Sequence, residues 1–196
     1  MKNSTTYFSL FLLLISFTQL NSLEEKTTVQ SELNISEAEL TEKLIDAARK
    51  GNLDLLKKLI AAGANVNHIG KQRVTALFMA AQENHTDVIQ ELIKANADVN
   101  YSLNFGPTRR LTPLFFAIHH NNLKIVKEFI KAGANINYKL DDEFTCLYIA
   151  IKKNKSDIVK ELLETQGIII SDKDITEAQK IGGETLELLK PFISNK

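Results

Sequence analysis

Few side chains in this sequence could do chemistry, and they are poorly assembled for it. Two histidines stand side by side at His119 and His120, with His68 and His85 far off along the chain. Adjacent residues on a helix point about 100° apart, whereas two histidines that share a metal sit four apart on one face. The pair therefore reads as surface side chains. Cys146 is the only cysteine, so no intramolecular disulfide can form. It follows Thr145 at a helix start, where a thiolate can be stabilised. It also occupies the place that Ala76 and Pro113 take in neighbouring units, which makes it a small, half-buried structural residue. Asp141, Asp142 and Glu143 put three carboxylates in one loop. A divalent cation could use them, although a solvated loop is the plainer account. No phosphate-cradling glycine loop and no Ser/His/Asp arrangement in context is present. Catalysis is not expected, and neither a metal nor a cofactor is assigned. Asn-x-Ser/Thr triplets occur at Asn3, Asn34, Asn84 and Asn154, in a chain rich in all three residue types.

The elements that carry these residues repeat. "GANVN" (63–67), "NADVN" (96–100) and "GANIN" (133–137) are one phrase written three times. A second phrase opens each new unit: "TALFMAA" from Thr75, "TPLFFAI" from Thr112 and "TCLYIAI" from Thr145. A third phrase, "LLKKLI", "VIQELI", "IVKEFI" and "IVKELL", closes them. From 67 to 100 is 33 residues and from 112 to 145 is 33, but from 75 to 112 is 37, so one unit carries four more. Thr75, Thr112 and Thr145 suit helix N-caps, with Pro113 at the first helical position. Leu77, Ala80 and Ala81 share one helical face, as do Leu114, Ala117 and Ile118, and Leu147, Ala150 and Ile151. First helices end at Gly51, Asn84, Asn121 and Asn154, and second helices at Gly63, Asn96, Gly133 and Gly167. Glycine and asparagine are the residues that most readily take the left-handed conformation found past a helix C-terminus. Ser36 and Glu39 have the spacing of a capping box at the start of the first helix.

On these phrases the chain resembles the ankyrin-repeat family, whose marks are a 33-residue period and a Thr-Pro-Leu-His-x-Ala motif. Phe78, Phe115 and Tyr148 stand where the family usually has His, and only the Thr112 unit keeps the Pro. The resemblance implies an all-α solenoid of stacked helix-turn-helix units joined by hairpin-like fingers. About four repeats (40–70, 71–106, 107–139 and 140–170) would be followed by a helical cap at 171–196. Such terminal units are polar outside. Ile168, Ile169 and Ile170 are expected inside the junction with the cap, and Pro191 should end or kink the last helix near Lys190. The resemblance also implies that a protein partner meets the concave side. Carried over by position, the first-helix ends are Arg49 and Lys50, Gln82 and Glu83, His119 and His120, and Lys152 and Lys153. The finger residues are Gln72 and Val74, Arg109 and Leu111, and Asp142 and Phe144. The lengthened finger "YSLNFGPTRR" (101–110) adds Phe105 and Arg110, with a turn at Gly106 and Pro107. Tyr101 would pack at its base, as Tyr138 would in the next unit.

The ends of the chain and its charge bound the setting. Residues 1–22 have Lys2, then an apolar run from Tyr7 to Phe17, then polar residues. That run is shorter than the roughly 20 residues a membrane helix needs and has the pattern of an export signal. Cleavage is placed after Ser22, with Thr18 a second choice and an uncleaved anchor the alternative. Residues 23–35 read as a flexible leader, and 36–196 as the repeat domain. Removing Lys2 with the signal leaves 23 basic against 24 acidic residues, so no net charge attracts nucleic acid. The resulting expectation is an exported, non-catalytic protein, periplasmic or secreted. It would be a monomer off the membrane after cleavage, binding a protein partner through its concave face and fingers. The alternatives are a metal- or small-molecule-binding accessory protein, with His119, His120 and Asp141–Glu143 as ligands, or a stabiliser of an exported enzyme.

Overall fold

A computed structural model describes residues 36–105, 109–140 and 144–193. The proposed signal and leader, the turn at Gly106 and Pro107, and the triplet Asp141–Glu143 lie outside the described residues. Ten helices form five successive pairs among them: α1 (Glu37–Lys50) with α2 (Leu53–Ala61), α3 (Ala76–Gln82) with α4 (Thr86–Lys94), α5 (Pro113–His119) with α6 (Leu123–Lys131), α7 (Cys146–Lys152) with α8 (Ser156–Glu164), and α9 (Asp172–Ile181) with α10 (Gly183–Ile193). The architecture is an all-α solenoid of the ankyrin type, with one small two-stranded sheet among the described residues.

Each helix starts and stops where its side chains dictate. The Oγ1 atoms of Thr75, Thr112 and Thr145 accept from the backbone N–H of Phe78, Phe115 and Tyr148, at 3.2, 3.3 and 3.2 Å. Ser36 and Glu39 close a capping box. The Ser36 amide and hydroxyl both donate to the Glu39 carboxylate, which holds Glu39 below the usual carboxylate range. Asn84, Asn96, Asn121 and Asn154, like Gly51, Gly63, Gly133 and Gly167, all have positive φ. The chain can therefore turn sharply between helices without a long loop.

Odd-numbered helices form one row and even-numbered helices a second, each helix touching the same member of the next pair. Neighbours in the odd row pack more densely than those in the even row, and the odd row is the one that the ankyrin resemblance assigns to the inner, concave side. The core runs unbroken between the rows. Leu44, Leu77 and Leu147 are fully buried from the odd row, and Leu59, Leu92 and Phe129 from the even row. Ala47, Ala80, Ala117 and Ala150, all buried, allow the close approach of the odd helices.

Asparagine side chains fasten the repeats at the loops. Asn67 Nδ2 donates to the Asn96 carbonyl while its Oδ1 accepts from the Asp98 amide. Asn100 makes the same pair of bonds to Gly133 and Asn135, and Asn137 to Gly167 and Ile169. The last Asn of each sequence phrase is thus a two-pronged clamp on the following unit. Histidines add a second tie: His85 Nε2 lies 2.9 Å from the Arg49 carbonyl, and His120 Nε2 lies 2.8 Å from that of Gln82.

The lengthened finger is a hairpin. Strand β1 (Leu103–Phe105) pairs antiparallel with β2 (Arg109–Leu111), Leu103 opposite Leu111 and Phe105 opposite Arg109. The Arg110 amide donates to the Leu140 carbonyl at 2.7 Å, joining this hairpin to the next finger. At its base the Tyr101 hydroxyl donates to the Arg73 carbonyl and its ring meets Phe78 edge-on at 6.3 Å, while the Tyr138 hydroxyl bonds Ser102.

Three details differ from the sequence expectation. Pro191 lies inside α10, which continues to Ile193. In the last turn the missing N–H forfeits a single helical bond. Ile168 and Ile170 pack against the core, but Ile169 is 66% exposed, because its amide is turned toward Asn137. Cys146 is fully rather than half buried.

Candidate functional site

The inner row presents its helix ends along the concave side, and the sequence-assigned residues divide there into several groups. Lys50, Glu83, His119, His120, Lys152 and Lys153 are exposed at the ends of α1, α3, α5 and α7, and Arg49 and Gln82 are half-buried. Several are already engaged. Arg49 Nη2 donates to Gln72 Oε1 at 2.7 Å, Lys50 pairs with Asp46 at 2.7 Å, and Gln82 Nε2 donates to Glu83 Oε1 at 3.1 Å.

The finger assignments fare less evenly. Gln72 and Arg110 are exposed. Val74, assigned to partner binding, is only 6% exposed. The tight turn from Gly70 to Val74 aims this apolar side chain into the core, so it cannot meet a partner. Leu111 is likewise half-buried and packed on the core, because the alternation of β2 turns it inward while Arg110 faces out. Phe105 and Arg109 are backbone partners across the hairpin. Asp142 lies outside the described residues.

Phe144 lies with its ring stacked on Tyr148, centroids 4.5 Å apart and planes at 20°. Lys152 Nζ sits 5.8 Å from the Phe144 centroid and 5.7 Å from that of Tyr148, and Lys173 Nζ lies 5.7 Å from Phe144. These distances are within the range of cation–π attraction. The Tyr148 hydroxyl donates to Glu177 Oε2 at 3.4 Å. Burial, and then the negative charge of Glu177, push this phenol above its ordinary value.

One unit along the array, α5 carries Phe115 and Phe116, both half-buried, Phe116 packed against the core. Their rings lie 5.3 Å apart, Phe116 meets Phe78 edge-on at 5.2 Å, and His119 lies 5.9 Å from Phe115. The His119 and His120 rings meet edge-on, centroids 5.5 Å apart. His120 reaches back to Gln82, while His119 stands within the fields of Lys153 and Lys155. Burial, followed by the charges of Lys153, His120 and Lys155, holds His119 below the usual histidine value.

Sequence reasoning missed Phe115 and Phe116, both half-buried, as surface contributors, and Tyr148, which is buried, as the ring beneath Phe144. The signal was present: Phe115 and Tyr148 are the aromatic departures at the motif's His position.

Burial pushes the Cys146 thiol up to about 12, so it is no nucleophile at neutral pH. Among the described residues no group of three His, Cys, Asp or Glu side chains is placed to hold a metal ion, and no helix is long and apolar enough to cross a membrane. A cleft of about 190 Å³ between α1 and the first finger is lined by Glu42, Asp46, Arg49 and Gln72, whose polar groups largely bond within it.

Comparison with protein-family models matches the chain to the model described as ankyrin repeats (3 copies), over residues 44–139 and 101–175. No curated protein matches it significantly.

Proposed function

The chain belongs to the ankyrin-repeat family, and from that membership we propose an exported, non-catalytic protein that holds a protein partner on its concave face. Ankyrin repeats generally mediate protein–protein interaction, and proteins built from them are typically scaffolds without enzymatic activity. The observation that carries the reading is the inner row itself. Half-buried Phe115 and Phe116, Phe144 backed by the buried Tyr148 ring, and the exposed Lys152 and Lys153 supply apolar anchors with cations beside them. Partly buried aromatics flanked by charged groups are the composition of interface hot spots. Export rests on the N-terminal pattern, a basic start followed by a short apolar run. In this reading residues 1–22 are removed, 23–35 lead into the repeats, and the protein works as a monomer outside the cytoplasm.

Site-specific photo-crosslinking in cells expressing the full-length chain tests the binding face. Crosslinkers at Gln82, His119 and Lys152 should give partner adducts, and those at Lys58, Lys124 and Lys160 on the outer row should not. Adducts confined to the outer row would reject the concave assignment. Fractionation of the same cells, with N-terminal sequencing of the product, tests export. A product that begins at Met1 in the cytoplasm would reject it.

A further inference from the structure

The concave face is not evenly charged, although the whole chain has 24 charges of each sign. Toward the C-terminal half, the ends of α5 and α7 bring His119, Lys152, Lys153 and Lys155 together beside the Phe144–Tyr148 stack. A cation at a helix C-terminus is ordinarily explained by the helix dipole. That accounts for one positive group per end. It does not account for three lysines, Lys152, Lys153 and Lys155, gathered at one helix end and the turn after it, two of them close enough to act on His119 of the neighbouring unit. Among the described residues no carboxylate pairs with Lys152, Lys153 or Lys155. Glu177 is occupied with the Tyr148 hydroxyl, and Asp174, also acting on Tyr148, is fully buried. Clustered like charges beside low-dielectric aromatic rings raise the local positive potential at this surface.

On the reading above, that the concave face is the binding face, we propose that the surface at the C-terminal ends of α5 and α7 takes an acidic, extended segment of the partner protein. Its carboxylates lie against Lys152, Lys153 and Lys155, and an apolar or aromatic side chain rests on Phe115. The charge complementarity sets the partner's chemistry, and the aromatic rings supply the area that a point charge lacks. Association is accordingly fast at low salt and weakens as salt screens this surface.

Fluorescence anisotropy of the full chain tests this with three labelled probes: a Glu-rich peptide with one central Phe, its counterpart with Lys for every Glu, and a single-stranded oligonucleotide. The acidic peptide should bind, and more weakly as salt is raised. Lys152→Glu/Lys153→Glu should weaken it about tenfold or more, equivalent to about 1.4 kcal/mol. Lys58→Glu/Lys124→Glu, the same charge change on the outer row, should leave it within about twofold. Circular dichroism of both variants establishes that they fold, and a milder Lys152→Gln covers the case in which the double variant does not. Equal loss in both double variants, equal binding of the Lys peptide, or equal binding of the oligonucleotide would each overturn the proposal. Crosslinking separates this failure from that of the parent reading. Adducts at His119 and Lys152 with a partner whose capture ignores Lys152→Glu/Lys153→Glu sink the acidic-segment inference alone.

Discussion

Replacing Asn100 by Ala removes both prongs of the clamp between the second and third repeats, without touching the hydrophobic core. The bonds lost are Asn100 Nδ2 to the Gly133 carbonyl at 3.0 Å and the Asn135 amide to Asn100 Oδ1 at 2.8 Å. A typical intramolecular hydrogen bond contributes about 0.5–1.5 kcal/mol net. Asn100 and its partners Gly133 and Asn135 are exposed, so water can satisfy the released groups and the lower half of that range applies. The variant should therefore lose about 1–2 kcal/mol. With a urea slope of about 2 kcal/mol/M, the midpoint falls by about 0.5–1 M. Because each solenoid unit is held chiefly by its neighbours, weakening this junction also lowers the cooperativity of unfolding. Asn100→Asp keeps the acceptor, loses the donor, and should fall between wild type and Asn100→Ala. Asn104→Ala, on the exposed side of β1, serves as the surface control, expected within about 0.5 kcal/mol of wild type. An Asn100→Ala midpoint no lower than that of Asn104→Ala would refute the idea that the side-chain ladder couples the repeats.

Gly51→Ala and Gly133→Ala both place a side chain at positive φ, 68° and 83°, and each should lose about 1–2 kcal/mol. Only at Gly51 would the new Cβ lie 2.6 Å from His85 Nδ1; by displacing the ring from the Arg49 carbonyl it should lose about 1 kcal/mol more, and equal urea midpoints would refute this. Cys146, its thiol pushed up to about 12 by burial, should resist a thiol-specific reagent at pH 8 in the native protein and react promptly in urea; labelling at the free-thiol rate without denaturant would contradict it. His119 is held below its ordinary value, so the unfolded chain binds the proton more readily. Stability should then fall as the pH drops through about 6.5. Urea midpoints at pH 7.5 and 5.5 should show a decline that is smaller in His119→Gln; an undiminished decline in that variant would assign the titration elsewhere.

The periodic part of the molecule is legible from local rules. A capping threonine, an apolar stripe with a small residue, and a Gly or Asn past the helix end act within a few residues of one another. Residue type and spacing are therefore enough to put Thr112 at a cap, Pro113 in a first turn and Asn121 at a helix end, and the capping geometry and positive φ values agree. The exposure of the assigned residues is legible at the helix ends and less so in the fingers. Helix ends are set by the period, so Lys152, Lys153, His119 and His120 are exposed as their positions require. Finger residues are set by turns whose direction has no periodic signature, and there Val74 and Leu111 face the core.

The sequence by itself determined the repeat unit, its helix boundaries and the order of stacking, because each depends on contacts that recur at fixed, short separations. Only the tertiary structure decided what the repeated Asn does, since its partners lie in the next unit, 29–35 residues away. It also decided that Phe144 and Tyr148 stack beneath Lys152, and that His120 reaches the Gln82 carbonyl of the preceding unit while its ring packs on His119. Those facts depend on the angle at which one unit meets the next, and that angle is set by core packing between helices.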